Sequence, residues 1–278
     1  MKLTLVIVSY NSYSDIIGLL DSLKQQKRQA DQIIIVDNCS PNGDGERLED
    51  FSTEGNYVYI GTGGNQGFAH GCNIGIQHAK TLGATHIGLV NPDTLFVYDD
   101  ILSQIVEAFS SLAYGIIGTY ILSAGTHKIE FGGADMVPGI FYPKVRKLGD
   151  VYSEKNNTVK ITPTDYTTGS SLFFSLELYE NIGPIDESYF LYFEETDWCF
   201  RARSMGYQIG IISSTALDHK TSQSVGFRSS LYTKYMIRNY AKFALRYARW
   251  YEIPLWSLLY VGFWIPGQTV SHLYRKIF

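Results

Sequence analysis

Short apolar runs that alternate with helical repeats, several ending in a polar turn, constrain this chain more than any other feature. Leu3–Ser9 is a continuous β-rich run, as expected of a strand covered on both faces. Ile16, Ile17, Leu19, Leu20 and Leu23 follow at helical spacing. Ile33–Val36, Tyr57–Ile60 and His86–Val90 read as three further strands. Gly67–Leu82 reads as a helix with Ala69, Cys72, Ile76 and Ala79 on one stripe. Ile101–Leu112 reads as another, with Ile101, Leu102, Ile105, Val106 and Phe109 inward. Strands alternating with helices predict an α/β fold whose sheet is mostly parallel and doubly wound, flanked by helices. At 278 residues, 45% hydrophobic and 18% charged, the chain can bury one large core or two small ones, and disorder is excluded.

The pattern changes after Gly115. Short apolar segments are separated by Gly, Pro and polar runs, notably over Gly132–Lys160, and predict loops and short strands capping one side of the sheet. Ser171–Ser175 and Gln208–Ile212 read as strands, and Thr196–Met205 as a helix stopped by Gly206. Cys39, Cys72 and Cys199 form neither a CxxC pair nor a disulfide framework, which points to a reduced, cytoplasmic compartment. The apolar N-terminus runs into Ser9-Tyr10-Asn11 with no small-residue cleavage site, so it reads as a strand rather than a signal peptide.

The net charge of −4 conceals an asymmetry. Residues 219–278 carry nine Lys and Arg against one acid, Glu252, whereas residues 1–218 carry 14 basic and 26 acidic groups. Lys234, Arg238, Lys242 and Arg246 follow at i,i+4 with Arg249 next, interleaved with aromatic and aliphatic residues. Such a basic stripe reads as an element on an anionic membrane surface. Leu255–Pro266 is strongly apolar but too short to span a bilayer. The expected division is therefore a domain over 1–225 and a basic, aromatic helical region over 226–278, with no nucleic-acid partner.

Ligands of open α/β sheets sit outside the carboxyl ends of the strands. Ser9-Tyr10-Asn11, Asp37-Asn38 and Asn91-Pro92-Asp93 all fall there. Asp37 suits a nucleobase imide or a ribose hydroxyl, or else caps a loop. Gly61–Gly67 enters a helix with Asn65 in the loop and Asn73 inside the helix, either cradling an anion through backbone N–H groups or permitting close packing. Pro92 keeps Asn91 extended, so Asn91 and Asp93 can share a cleft as an oxygen pair suited to Mg²⁺ or Mn²⁺ on a diphosphate; Asn-Pro-Asp is also a good turn. Glu194, Glu195 and Asp197 follow the aromatic run Tyr189–Phe193. Asp197 lies four residues before Arg201 and reads as its ion-pair partner, leaving Glu195 or Glu194 as general base. A charged helix N-terminus is the plainer reading of the same cluster. His219, Lys220 and Arg228 are further candidates, for a metal or for phosphate.

With these residues in view, the chain resembles the inverting, nucleotide-sugar-dependent glycosyltransferases of family 2, which have a GT-A fold. More narrowly, it is similar to the rhamnosyltransferase-like bacterial members that build O-antigen, capsule and other surface polysaccharides. The resemblance runs from Leu3 to about His219. It rests on Val8-Ser9-Tyr10-Asn11, Val36-Asp37-Asn38-Cys39-Ser40, Asn65-Gln66-Gly67-Phe68-Ala69, Asn73-Ile74-Gly75 and Asn91-Pro92-Asp93. Gly169-Ser170, Gly183-Pro184-Ile185-Asp186-Glu187, Phe190–Arg201 and Asp218-His219 complete it. It implies that Ser9, Tyr10, Asn11 and Asp37 hold the nucleoside, with Asn38 beside them and Asn65 and Gly67 near the ribose or diphosphate. It places Asn91 and Asp93 at the family's DxD metal motif, with Asn91 in place of the first Asp and one charged ligand fewer. It puts His219 where the metal site is completed, and Glu195 at the base position, usually an Asp.

The expected activity is a single inverting displacement from a nucleotide-diphosphate donor, dTDP-rhamnose first. The acceptor is a saccharide, lipid-linked or free, and the enzyme is peripheral on the inner face of the bacterial plasma membrane. UDP-hexose or N-acetylhexosamine transfer, or a nucleotide-sugar-binding partner without turnover, are the rival expectations. A nicotinamide-dependent dehydrogenase is disfavoured because the first βα turn, Ser9–Ser14, contains no glycine.

Overall fold

The structure is a computed structural model and describes residues 1–267 except 42, 112, 154, 157 and 221–229. In chain order its first half holds β1 (Leu3–Ser9), α1 (Tyr13–Lys24), β2 (Gln32–Asp37), α2 (Asp44–Glu54), β3 (Val58–Gly61) and α3 (Phe68–Thr81). β4 (His86–Leu89), β5 (Thr94–Leu95) and α4 (Ile101–Ser111) follow. Then come β6 (Ile116–Ser123), β7 (Lys128–Phe131), β8 (Ala134–Met136), β9 (Pro143–Val145), β10 (Ile161–Thr164) and β11 (Leu172–Ser175). The chain continues through α5 (Leu176–Ile182), α6 (Glu194–Ser204), β12 (Ile209–His219), α7 (Ser230–Tyr247) and α8 (Ile253–Leu259), with a π-helical turn at Tyr260–Trp264.

The main sheet has the order β10-β12-β6-β11-β4-β1-β2-β3. It is parallel from β4 through β1 and β2 to β3. β11 then runs antiparallel between β4 and β6, and β6 pairs in parallel with β12. Two successive reversals restore the direction, so β1, β2, β4, β6 and β12 all end at one edge. The site is gathered at that edge.

Alternation along β1 separates two cores. Leu3, Leu5 and Ile7 face α1, α2 and α4 through Ile16, Leu19, Leu48 and Ile101. Val6 and Val8 face α3 and α6 through Ala69, Cys72, Ile76 and Trp198. Helices thus cover both faces, which is why the strands read as unbroken apolar runs. α3 lies unusually close to β1, because a Cβ at Gly71 or Gly75 would come within 2.6 or 2.3 Å of Val8 or Val6.

A third core joins Tyr189 and Phe193 to Met236, Tyr240, Phe243 and Ala244 of α7 and to Trp256 of α8. The C-terminal helices therefore share a core with the loop before α6. The boundary expected at 225/226 lies outside the described residues, as does Arg228. The basic stripe does not stay on one outward face. Lys242 pairs with Asp186 at 3.3 Å and Arg246 with Asp186 and Asp197 at 2.7 and 2.9 Å, so these two cations turn toward the domain. The i,i+4 spacing marks neighbours on a helix but not which of them has acids opposite. Among the described residues no helix is long and apolar enough to cross a membrane.

Gly75→Leu must push Val6 aside at the α3–β1 contact and is expected to lower stability by about 1–3 kcal/mol or more, read from denaturant unfolding.

Candidate active site

Two cavities open at the shared strand edge. The first, of about 400 Å³, is lined by Ser9, Tyr10, Asn38, Asn65, Gly67 and Phe68 from the parallel half, with Phe190, Leu231 and Tyr235 opposite. The second, of about 390 Å³, is lined by Glu130, Tyr142, Tyr166, Ser170, Glu195, His219 and Tyr232 among others. Asn91, Asp93 and Tyr192 belong to both walls. Each cavity is of ligand size, and the two meet at the Asn-Pro-Asp turn.

That turn is closed by Thr94, whose N–H and hydroxyl both donate to the Asn91 carbonyl. Asn91 donates through Nδ2 to the Ser170 hydroxyl at 3.0 Å. The following residues pair with the end of β12, Thr94 opposite His219, and the Lys220 N–H donates to the Asp93 carbonyl at 2.8 Å. Strand pairing thereby sets His219 Nε2 3.4 Å from Asp93 Oδ2. The other ring nitrogen, Nδ1, lies 3.2 Å from Glu130 Oε1 on β7. Burial disfavours the imidazolium, but the Asp93 and Glu130 carboxylates overrule it and raise the His219 pKa to about 10. Asp93 Oδ1 is buried without a hydrogen-bond partner.

The acidic turn of α6 is aimed by unusual backbone. Tyr192 and Phe193 both have positive φ, 68° and 75°, a costly conformation for aromatic residues. Asn239, fully buried on α7, donates through Nδ2 to the carbonyls of Leu191 and Tyr192 at 2.8 and 2.9 Å. This clamp holds the left-handed pair so that Glu195 faces the second cavity. Burial raises the Glu195 pKa, outweighing the opposing pull of its own backbone N–H, the Gly169 N–H and the Tyr166 hydroxyl, and its Oε2 is buried without a hydrogen-bond partner. Glu194 is buried, lines neither cavity, and has a pKa raised by burial and by the charge of Glu195. Of the two candidates for the base, only Glu195 faces a cavity.

The remaining sequence candidates divide cleanly. Ser9, Tyr10, Asn38, Asn65 and Gly67 line the first cavity, and the Ser9 hydroxyl and Asn38 Oδ1 are buried without partners. Asp37 lines neither cavity. Its carboxylate accepts from the N–H and hydroxyl of Ser40, so the loop-capping reading describes it. Asn11 is exposed and donates its N–H to the Ser40 hydroxyl. Asn73 is spent on Ile185, Glu187 and Tyr179, packing α3 against the loop before α6. Asp197 is fully buried and bound by Arg201, Arg246 and Tyr247. Its place is in that ion-pair network, away from either cavity. Lys220 pairs with Asp15 at 3.6 Å. Glu130 and Tyr166, both partners of site residues, were missed because they lie in the region read only as loops and short strands.

The model of the glycosyl transferase family 2 matches residues 4–179. The chain belongs to that family. This family 2 member is 28% identical over 209 residues to the low-salt glycan biosynthesis hexosyltransferase Agl10 of Haloferax volcanii, covering 75% of the chain and 64% of that protein. It is 25% identical over 219 residues to the dTDP-rhamnosyl transferase RfbF of Shigella flexneri, covering 77% and 67%. The chain thus spans about two thirds of the length of these relatives. Its fold is similar to that of the mannosyltransferase PcManGT from Pyrobaculum calidifontis, solved with GDP-Man and Mn²⁺, at a TM-score of 0.62. That pair is 15% identical, and the match covers 99% of this chain and 75% of the other. The GT-A architecture of the family is the architecture seen here.

Asn239→Ala removes the donor from two part-buried carbonyls and empties a buried site, and is expected to cost roughly 1–3 kcal/mol in denaturant unfolding. A loss under about 0.5 kcal/mol, the usual range for an uninvolved surface position, would show that the clamp does not hold the turn.

Proposed function

We propose that this family 2 member is an inverting glycosyltransferase that moves a sugar, rhamnose from dTDP-rhamnose in the first instance, onto a saccharide acceptor. The observation that carries the reading is the meeting of two cavities at Asn91 and Asp93, with the raised carboxylate of Glu195 on one side only. The nucleoside is assigned to the Ser9–Asn38 cavity, whose unpartnered polar atoms suit a base and ribose. The acceptor is assigned to the cavity that Glu195 faces. Glu195 takes the proton of an acceptor hydroxyl, and that oxygen bonds to the anomeric carbon. The bond from that carbon to the phosphate oxygen breaks, its electron pair leaves with the nucleoside diphosphate, and the configuration inverts.

The residues at the meeting point suit Mg²⁺ or Mn²⁺. They offer an unpartnered carboxylate oxygen on Asp93, an imidazole nitrogen on His219, and the amide oxygen of Asn91. The two carboxylates that favour a proton on His219 favour a cation there for the same electrostatic reason. Glu130 orients the ring through Nδ1, as carboxylates behind metal-bound histidines do. When bound, the ion would offset charge gathering on the departing diphosphate.

The rhamnosyl relative supports the donor, as does the Asn at position 91 typical of the resembling subgroup. The family's role in surface polysaccharides, O-antigen and capsule among them, supports a lipid-linked acceptor. We place the enzyme at the cytoplasmic face of an anionic bilayer. A binding panel of dTDP-, UDP- and GDP-sugars tests the donor. Preference for a UDP-hexose or UDP-N-acetylhexosamine would replace rhamnose without touching the chemistry.

Glu195→Gln is expected to lower turnover by about 10²–10⁴ while nucleotide-sugar affinity stays near wild type. Near wild-type turnover in that variant would refute the assignment. Because the base must be ionised and its pKa is raised, the wild-type rate should fall on acidification at a pH above the ordinary Glu value of 4.5. Glu130→Gln should weaken Mn²⁺ binding about 10–100-fold in titrations with nucleoside diphosphate present; an unchanged affinity would remove Glu130 from the site.

A further inference from the structure

The strongest unexplained surface lies on the C-terminal helices. Trp256 of α8 is buried against Tyr240 of α7, and the opposite face of α8 has nothing over it among the described residues. Leu255, Leu258, Val261 and Phe263 are 62–72% exposed, and Trp250, just before α8, is 82% exposed. So much large apolar surface in one short stretch is costly in water unless something covers it.

α7 supplies the charge beside it. Tyr240 packs on α8, and the Tyr260 hydroxyl donates to the Ile237 carbonyl at 2.8 Å, which fixes the side of α7 that α8 occupies. At 100° per residue, Lys234, Leu245 and Arg238 fall about 60–100° around α7 from Ile237, between the side that α8 occupies and Lys242. Lys242 and Arg246 lie on the far flank, where Asp186 and Asp197 bind them. Lys234 and Arg238 are exposed and make no ion pair among the described residues. Arg249, two residues past the end of α7, is exposed as well, its guanidinium donating to the Tyr251 hydroxyl. The acid in this stretch, Glu252, accepts from the Arg249 N–H. One surface therefore combines aliphatic and aromatic side chains with an unpaired basic edge, the composition of an interfacial helix on anionic lipid.

We propose that the outer face of α8 and the turn after it, edged by Lys234, Arg238 and Arg249, lies in the headgroup region of an anionic bilayer. The proposal rests on the reading above that the enzyme works at a membrane, and says which surface touches it. Position agrees with the chemistry. Trp264, next to Phe263, has its ring 6.1 Å from that of Tyr142, a wall of the Glu195 cavity. The acceptor compartment therefore lies one ring beyond the lipid-facing surface, within reach of a headgroup-level saccharide.

The full chain is sedimented with vesicles of phosphatidylcholine alone or mixed with phosphatidylglycerol. Wild type should bind the mixed vesicles, less so at high salt. The exposed pair Leu258→Ser with Phe263→Ser should lower partition roughly tenfold or more, with unchanged thermal unfolding. Lys234→Gln with Arg238→Gln should lower it about 30-fold on anionic vesicles only, about fivefold per cation. If wild type binds neither vesicle, the membrane reading falls and this surface with it. If wild type binds and both pairs bind equally well, only the surface assignment falls. A dimer in ultracentrifugation that the Leu258/Phe263 pair abolishes, without vesicle binding by wild type, would make a second copy the occupant and overturn the proposal.

Discussion

One buried carboxylate ties the catalytic end of this molecule together. Asp197 has no solvent exposure and is bound by Arg201 on its own helix and by Arg246 and Tyr247 on α7. Arg201 also donates to the carbonyls of Ile182 and Pro184, so the same guanidinium fastens the loop after α5. A buried charge is tolerated only when its partners are well placed, and removing one leaves the rest uncompensated. α6, α7 and the loop that carries Asp186 are thus held at fixed relative positions. α6 presents Glu195, and α7 presents Tyr232, Tyr235 and the Asn239 clamp.

The sheet meets this assembly from the other side. β11 is the short strand that makes the arrangement possible, because it lies antiparallel to both β4 and β6. Without that reversal β12 would not deliver His219 to the edge where β4 delivers Asp93. Pairing of Thr94 with His219 then converts a large separation along the chain into contact between two side chains. The electrostatics follow from that contact: two carboxylates around one ring favour whichever cation is present.

What the sequence showed and hid follows from the range of the interactions involved. The first four strands, helices α1, α3 and α4, and the polar ends at Ser9, Asn38 and Asn91 were legible, since periodicity and strand-end position are local properties; α2 was not read, its apolar residues being too few to make a stripe. The turn at Asn91–Asp93 was legible both as a turn and as a ligand pair, and it is built as a turn. β5 and β7 to β10 span two to four residues each and exist through pairing, so Glu130 left no local signal. Asp37 and Asn73 occupy positions that the resemblance or the helix pattern marked, but nearby hydroxyls and carbonyls consume their polar groups. The basic stripe was legible only as a row of neighbours, for a related reason. Helical spacing shows which cations are neighbours, and only the fold shows which of them meet Asp186 and Asp197.

Gly67 carries a consequence for how such a chain can diverge. Its φ is 98°, and a Cβ there would sit 2.4 Å from the Phe190 carbonyl oxygen, which accepts from the Phe68 N–H at 3.0 Å. Backbone touches backbone, so no neighbouring side chain can be trimmed to make room. While both loops keep their places, this position is closed to every other residue. In the cavity proposed for the donor, new preferences must arise from the residues that line it by side chain, Tyr10, Asn65, Tyr192 and Tyr235 among them. The backbone crossing is inherited as a fixed frame, and variation is left to its surroundings.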